Sequence, residues 1–207
     1  MSCRRAFVSW LRFPVPLLLA SLTLGTGTAS AVPYVLSAGG GAYVPWNGGL
    51  REIYGSGGEV TFGIAAPLVE NRSRVRVDVG YVSASGDQIR RDPTFELDEN
   101  RFWLLPVSLG VETNTHPTGG PDAVRVYVGL QGVIAFTGWK DPLLGKFHNP
   151  ALGGALELRP EVPVHRSWLV WMSYRLLALT SVEYGSGAPE FSYSGALLHA
   201  GLAYRLP

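Results

Sequence analysis

Arg74-Val75-Arg76-Val77-Asp78-Val79-Gly80-Tyr81 is the stretch whose reading decides the fold. Its odd positions are Val75, Val77, Val79 and Tyr81; its even positions are Arg74, Arg76, Asp78 and Gly80. Side chains alternate across an extended strand, so this octapeptide presents one apolar face and one charged face. A helix would scatter the same residues around its circumference.

The pattern repeats outward in both directions. In the segment 102–112, Trp103, Leu105, Val107, Leu109 and Val111 oppose Pro106, Ser108, Gly110 and Glu112. In 124–136, Val124, Val126, Val128, Leu130 and Ile134 oppose Arg125, Tyr127, Gly129 and Gln131. In 151–159, Leu152, Leu156 and Leu158 oppose Ala151, Ala155, Glu157 and Arg159. Four further segments, 34–44, 59–66, 168–179 and 193–206, complete a set of eight. Turn-forming residues separate them, and helical periodicity is not evident among them.

Alternation alone fits a soluble sandwich as well as a membrane barrel. Two features favour the barrel. The polar face is small, glycine-rich and sparsely charged, which suits a narrow interior, while Tyr81, Trp103, Trp168 and Tyr204 stand near strand ends on the apolar face, where interfacial girdles form. The connections also alternate in length: 45–58, 82–101, 137–150 and 180–192 are long, whereas 67–73, 113–123 and 160–167 are shorter. Strands that zigzag between an outside loop face and a periplasmic turn face give this parity, with both termini in the periplasm. The expectation is an all-β, eight-stranded, antiparallel up-and-down transmembrane barrel. A soluble lipocalin-like barrel in the periplasm is the competing architecture, and it would place the apolar face inside.

Residues 1–31 read as an export leader outside the fold. Arg4, Arg5 and Arg12 give a basic start, the stretch 15–24 is mostly apolar, and Ala29-Ser30-Ala31 offers the small residues that a signal peptidase reads. Arg12, Pro14 and Pro16 argue against a spanning helix. Cleavage after Ala31 leaves residues 32–207 as one domain, with 14 basic against 16 acidic residues, since the leader holds three of the 17 Lys and Arg. That balance provides no basic field for nucleic acid. The one cysteine, Cys3, is in the leader, so the exported domain has no disulfide to rely on.

With these residues in place, the chain resembles the outer-membrane β-barrel domain family, the small OmpA/OmpX-like eight-stranded barrels. The resemblance covers 32–207. It rests on the strand texture, on Leu105-Pro106-Val107-Ser108-Leu109-Gly110-Val111, and on the closing segment His199-Ala200-Gly201-Leu202-Ala203-Tyr204-Arg205-Leu206. That segment matches the polar-x-Gly-x-x-apolar-x-apolar pattern recognised for insertion, with His199, Gly201, Tyr204 and Leu206 at the four positions. Family members usually finish on an aromatic residue; this chain has Leu206 followed by Pro207. The resemblance implies outer-membrane lipid, lipopolysaccharide and the barrel-insertion machinery as partners, no cofactor, and a non-enzymatic structural, adhesive or envelope-maintenance role.

The chemistry-bearing residues on the inward parity are Arg74, Arg76, Arg125, Arg159, Arg175 and Arg205, facing Asp78, Glu112 and Glu157. Eight strands enclose side chains and no wide channel. The charges therefore form a lumen salt-bridge network, the alternative being a narrow path for ions or small solutes. Lipid A deacylases of this barrel size use a His-x-Ser pair with a Glu. His165-Arg166-Ser167 fits the pair, with Glu183 or Glu157 as the acid, but parity puts that connection at the periplasmic end, away from an outer-leaflet substrate. His116 and His148 have no metal-ligand spacing around them. The outside connections are the natural place for recognition.

Overall fold

In the computed structural model, the chain is described at residues 34–69, 72–86, 100–117, 123–141, 145–182 and 192–206. The leader, with Ala29 and Ala31, lies outside the described residues, as does Glu183. Eight strands follow one another: β1 (Val35–Pro45), β2 (Gly57–Val69), β3 (Ser73–Gly86), β4 (Asn100–Asn114), β5 (Arg125–Asp141), β6 (Gly145–Pro163), β7 (Trp168–Ser181) and β8 (Gly195–Arg205). Each pairs antiparallel with the next, and β8 closes on β1 from Val35↔Arg205 to Pro45↔Gly195. The result is a closed up-and-down barrel, as the alternation leads one to expect. Closure leaves no unpaired sheet edge through the barrel wall.

The faces are as the parity of β3 requires. Arg74, Arg76 and Asp78 are buried in the lumen, while Val79 and Tyr81 are exposed on the outside. The outer surface is apolar around the circumference: Phe62, Leu109, Leu130, Leu152, Met172 and Leu202, from six different strands, are each about half exposed or more, with Leu130 at 71%. A soluble barrel would bury such residues, so the polarity is the inverse of a lipocalin's. At the end carrying the termini, Trp168 and Tyr204 meet edge to face at 5.0 Å on the outer surface. Tyr81 and Trp103 face outward nearer the other end.

Three features depart from the sequence reading. The first long connection holds a short helix, α1 (Gly48–Tyr54), started by the Asn47 side chain accepting from the Gly49 N–H and ended at Gly55 with φ 62°. A seven-residue helix is too short to show in periodicity. The third long connection is largely strand: β5 and β6 stay paired as far as Asp141↔Gly145. Alternating connection length therefore fails there, because β-structure continues past the ends of the neighbouring strands. Finally, the inward face is not polar throughout. Val82, Leu104, Val133, Leu177, Leu179 and Leu197 point into the lumen and are buried toward the long-connection end.

Candidate functional site

The lumen has two halves of opposite chemistry. Toward the termini, four arginines and four carboxylates interlock. Strand register places Arg74, Glu112, Gly129, Glu157 and Arg175 in one cross-strand row over β3 to β7. Arg74 Nε donates to Glu112, and its two terminal nitrogens clamp Glu161 at 2.6 and 3.0 Å. Arg159 Nε donates to the same Glu161 at 3.0 Å and also faces Glu157 at 3.6 Å. Arg76 pairs with Asp78 at 2.6 Å and donates to Ser37 Oγ at 2.7 Å. Arg175 Nη2 bridges Asp78 and Glu157, 2.9 Å from each, and Gln131 donates to Glu157 at 2.8 Å.

These groups are all buried, with Arg76 1% and Glu112 0% exposed. Burying one charge alone is prohibitive; burying equal numbers in hydrogen-bonding geometry is tolerable. Aromatic rings complete the packing. Arg74 lies over the Tyr127 ring at 3.6 Å, and Arg159 over the Trp171 ring at 3.7 Å. Guanidinium planes combine stacking and forked donation in a way that lysine does not, and every base in the network is an arginine.

Seven of the nine residues expected in the network, Arg74, Arg76, Asp78, Glu112, Glu157, Arg159 and Arg175, are brought together. Arg125 and Arg205 share the inward parity but stand half-buried at the terminal end. Sequence reasoning missed Glu161 and Glu59. Glu161 lies two residues past Arg159, where the expected strand stopped, yet β6 runs on to Pro163. Glu59 opens its segment, where alternation has no preceding residue to show which face it joins.

Glu59 belongs to a second polar row. Register aligns it with Gly41, His199 and Ser173 across β2, β1, β8 and β7. His199 Nε2 bonds Glu59 across Gly41, and Nδ1 lies 3.0 Å from Ser173 Oγ. Any Cβ at Gly41 would come within 2.7 Å of the imidazole. Gly39 and Gly201 make similar room two residues along each strand, where the Trp171 indole occupies the space above both. Gly39 and Gly41 thus form a trough for large neighbouring side chains. His199 and Gly201, assigned from sequence to an insertion pattern, also have these packing roles. Ser173, His199 and Glu59 have the composition of a nucleophile–base–acid relay. All three are at most 4% exposed in the lumen, and the row has no access for an acyl or peptide substrate.

Toward the long connections the lumen is apolar. Phe102 stacks between Tyr43 and Tyr193, with centroids 6.5 and 5.9 Å away, and Tyr54 of α1 tilts against it at 5.6 Å. Leu50 and Tyr54 bring α1 into the mouth of the barrel, and the Tyr43 hydroxyl donates to the Tyr193 carbonyl at 2.7 Å. Below these rings lie Leu104, Leu177 and Leu197. His165 and Ser167 lie in the β6–β7 turn, with His165 exposed, whereas Glu157 is locked to Arg175 in the lumen, so His165, Ser167 and Glu157 are not assembled; Glu183 lies outside the described residues. Among the described residues no group of three or more His, Cys, Asp and Glu could hold a metal ion.

No protein-family model matches the chain, and no curated protein matches it. Solved structures do. Ail, the attachment invasion locus protein of Yersinia pestis, in complex with the heparin analogue sucrose octasulfate, superposes with a TM-score of 0.56 at 11% identity, over 84% of this chain and 99% of Ail. Neisserial surface protein A gives 0.55 at 12%, over 84% and 97%. The outer membrane protein OprG of Pseudomonas aeruginosa gives 0.56 at 11%, over 85% and 96%. The chain therefore has the fold of the small eight-stranded outer-membrane barrels.

Proposed function

We propose that the exported chain is an integral outer-membrane barrel with a structural, adhesive or envelope-maintenance role, non-enzymatic and closed to ions. One observation carries this reading: among the described residues, ion-paired arginines occupy the lumen toward the termini, and packed rings and aliphatic side chains occupy it toward the other end. A conducting path needs continuous hydration. The cluster of Phe102, Tyr54, Tyr193 and Leu104 excludes water from one half, even though the other half is charged. The pore alternative is correspondingly weak.

The apolar outer belt supports lipid as the surrounding solvent, since strands of 11 to 19 residues suffice to cross about 30 Å of hydrocarbon when tilted. On this reading the termini and short turns lie in the periplasm. The long connections face outward, and the closing residues His199, Gly201, Tyr204 and Leu206 are read by the insertion machinery. Action is then left to the outside connections, held by a rigid scaffold. The test is to fold the exported chain into a planar bilayer after establishing that the unboiled protein migrates faster than the boiled. A silent bilayer supports the closed barrel, and steady single-channel steps overturn it.

A further inference from the structure

Among the described residues, the buried charged groups besides His199 are the four arginines and four carboxylates of the interlocked set, which cancel, and a fifth carboxylate, Glu59. The arginines are committed elsewhere. Arg74 and Arg159 converge on Glu161, and Arg76 turns to Asp78 and Ser37. Arg175, two residues beyond Ser173 on β7, gives its Nη2 to Asp78 and Glu157. Arg205 is six residues beyond His199 on β8, about 20 Å along the strand, and Arg125 is in register with Glu161. On β1 the residue between His199 and Glu59 is Gly41, and Tyr43 beyond it donates its hydroxyl to the Tyr193 carbonyl. Among the described residues, the one ion-pairing partner of Glu59 is His199.

A carboxylate left without a counterion in such a place is strongly disfavoured, and one proton held by the pair removes the imbalance. Imidazole is a stronger base than carboxylate, so the proton rests on the ring. The ring is placed to use it. Nε2 bonds the Glu59 carboxylate, and Nδ1 is 3.0 Å from Ser173 Oγ, so each nitrogen has an oxygen to donate to. The Trp171 indole stands T-shaped to the imidazole at 6.3 Å and closes the site on that side. The bond also crosses the seam where β8 closes on β1, reaching β2 over Gly41.

We propose that His199 is a buried imidazolium, the counterion of Glu59, and that its proton staples the seam at which the barrel closes. The inference concerns the lumen and goes beyond the role proposed above, which rests on the filled interior and the apolar outer face.

His116, His148 and His165 are exposed, so replacing all three by Gln leaves His199 as the one histidine of the full exported chain. That chain is prepared without added histidines, with isotope-labelled histidine, and folded into phosphatidylcholine nanodiscs at neutral pH. Nitrogen NMR then counts the ring protons: an imidazolium has one on each nitrogen, a neutral imidazole one in all. Both nitrogens of His199 are expected to be protonated. Glu59→Gln in the same background is expected to leave a single ring proton. A parent ring with one proton overturns the imidazolium, and a ring that keeps both protons without Glu59 overturns Glu59 as its counterion. Urea unfolding in vesicles tests the staple. His199→Gln should raise the unfolding equilibrium constant about a hundredfold or more, because Glu59 stays charged and loses its counterion. His199→Gln/Glu59→Gln removes both charges and should recover most of that loss. A double variant no more stable than the single one overturns the staple. If a variant at either position does not fold, judged by unboiled gel mobility, the spectrum of the parent chain, which keeps both residues, still decides whether the imidazolium is there.

Discussion

His199 on β8 bonds Glu59 on β2 although a whole strand runs between them, because β1 has Gly41 at that register. The contact depends on a missing side chain as much as on the two that meet. Gly41→Leu is therefore expected to destabilise by about 1–3 kcal/mol through overpacking, and more if the imidazole is displaced from the carboxylate. His199→Ala leaves Glu59 buried without its partner and is expected to be at least as damaging. Urea unfolding in lipid vesicles, followed by tryptophan fluorescence, measures both. A Gly41→Leu barrel as stable as the wild type would show that the row has slack.

Arg175 holds two carboxylates at once, Asp78 and Glu157. Arg175→Met should cost about 3–5 kcal/mol, because Glu157 and Asp78 lose a partner in a site without bulk water. Combining it with Glu157→Leu should restore much of that loss, since Asp78 keeps Arg76. A double variant no more stable than the single one, by the same urea titration, would mean that the arginine acts by packing alone.

The fold was legible in the sequence because a barrel wall has a lipid side and a lumen side and writes both into a period of two. Arg74 to Tyr81 shows it in eight residues. The charged network was legible where strand and parity were both clear, at Arg74, Arg76, Asp78, Glu112, Glu157, Arg159 and Arg175. It was hidden at Glu161 and Glu59, which lie at the edges of their segments, and Arg125 and Arg205 stand half-buried where their strands begin and end. The apolar half of the lumen was not legible, since inward Val82, Leu104 and Leu197 read like any other apolar residue until a register places them. The reach of His199 across Gly41 depends on the pairing of three strands, which no single segment states.

Export should leave Val32 as the first residue. The mass and amino-terminal sequence of protein recovered from an outer-membrane fraction check this directly. Ala31→Arg, which puts a large charged side chain where the peptidase needs a small one, should leave the precursor uncleaved. Processing at another bond would move the domain boundary and leave the barrel unaffected.

Leu130 distinguishes lipid from water as the medium around the barrel. It is the most exposed large apolar side chain among the described residues, at 71%, and its register neighbours Val111 and Leu156 also face outward. On an aqueous surface Leu130→Arg would be neutral or mildly favourable, since surface substitutions usually stay within about 0.5 kcal/mol. Within a hydrocarbon belt the same change should cost about 2–4 kcal/mol, falling toward zero near the interface. Moving the arginine to Thr113, which is outward and closer to the terminal end of β4, should therefore cost less. Unfolding free energies of Leu130→Arg and Thr113→Arg in vesicles measure this gradient. A steep difference identifies the outer face with a bilayer, and equal, small effects would reverse the assignment of inside and outside solvent on which the functional reading stands.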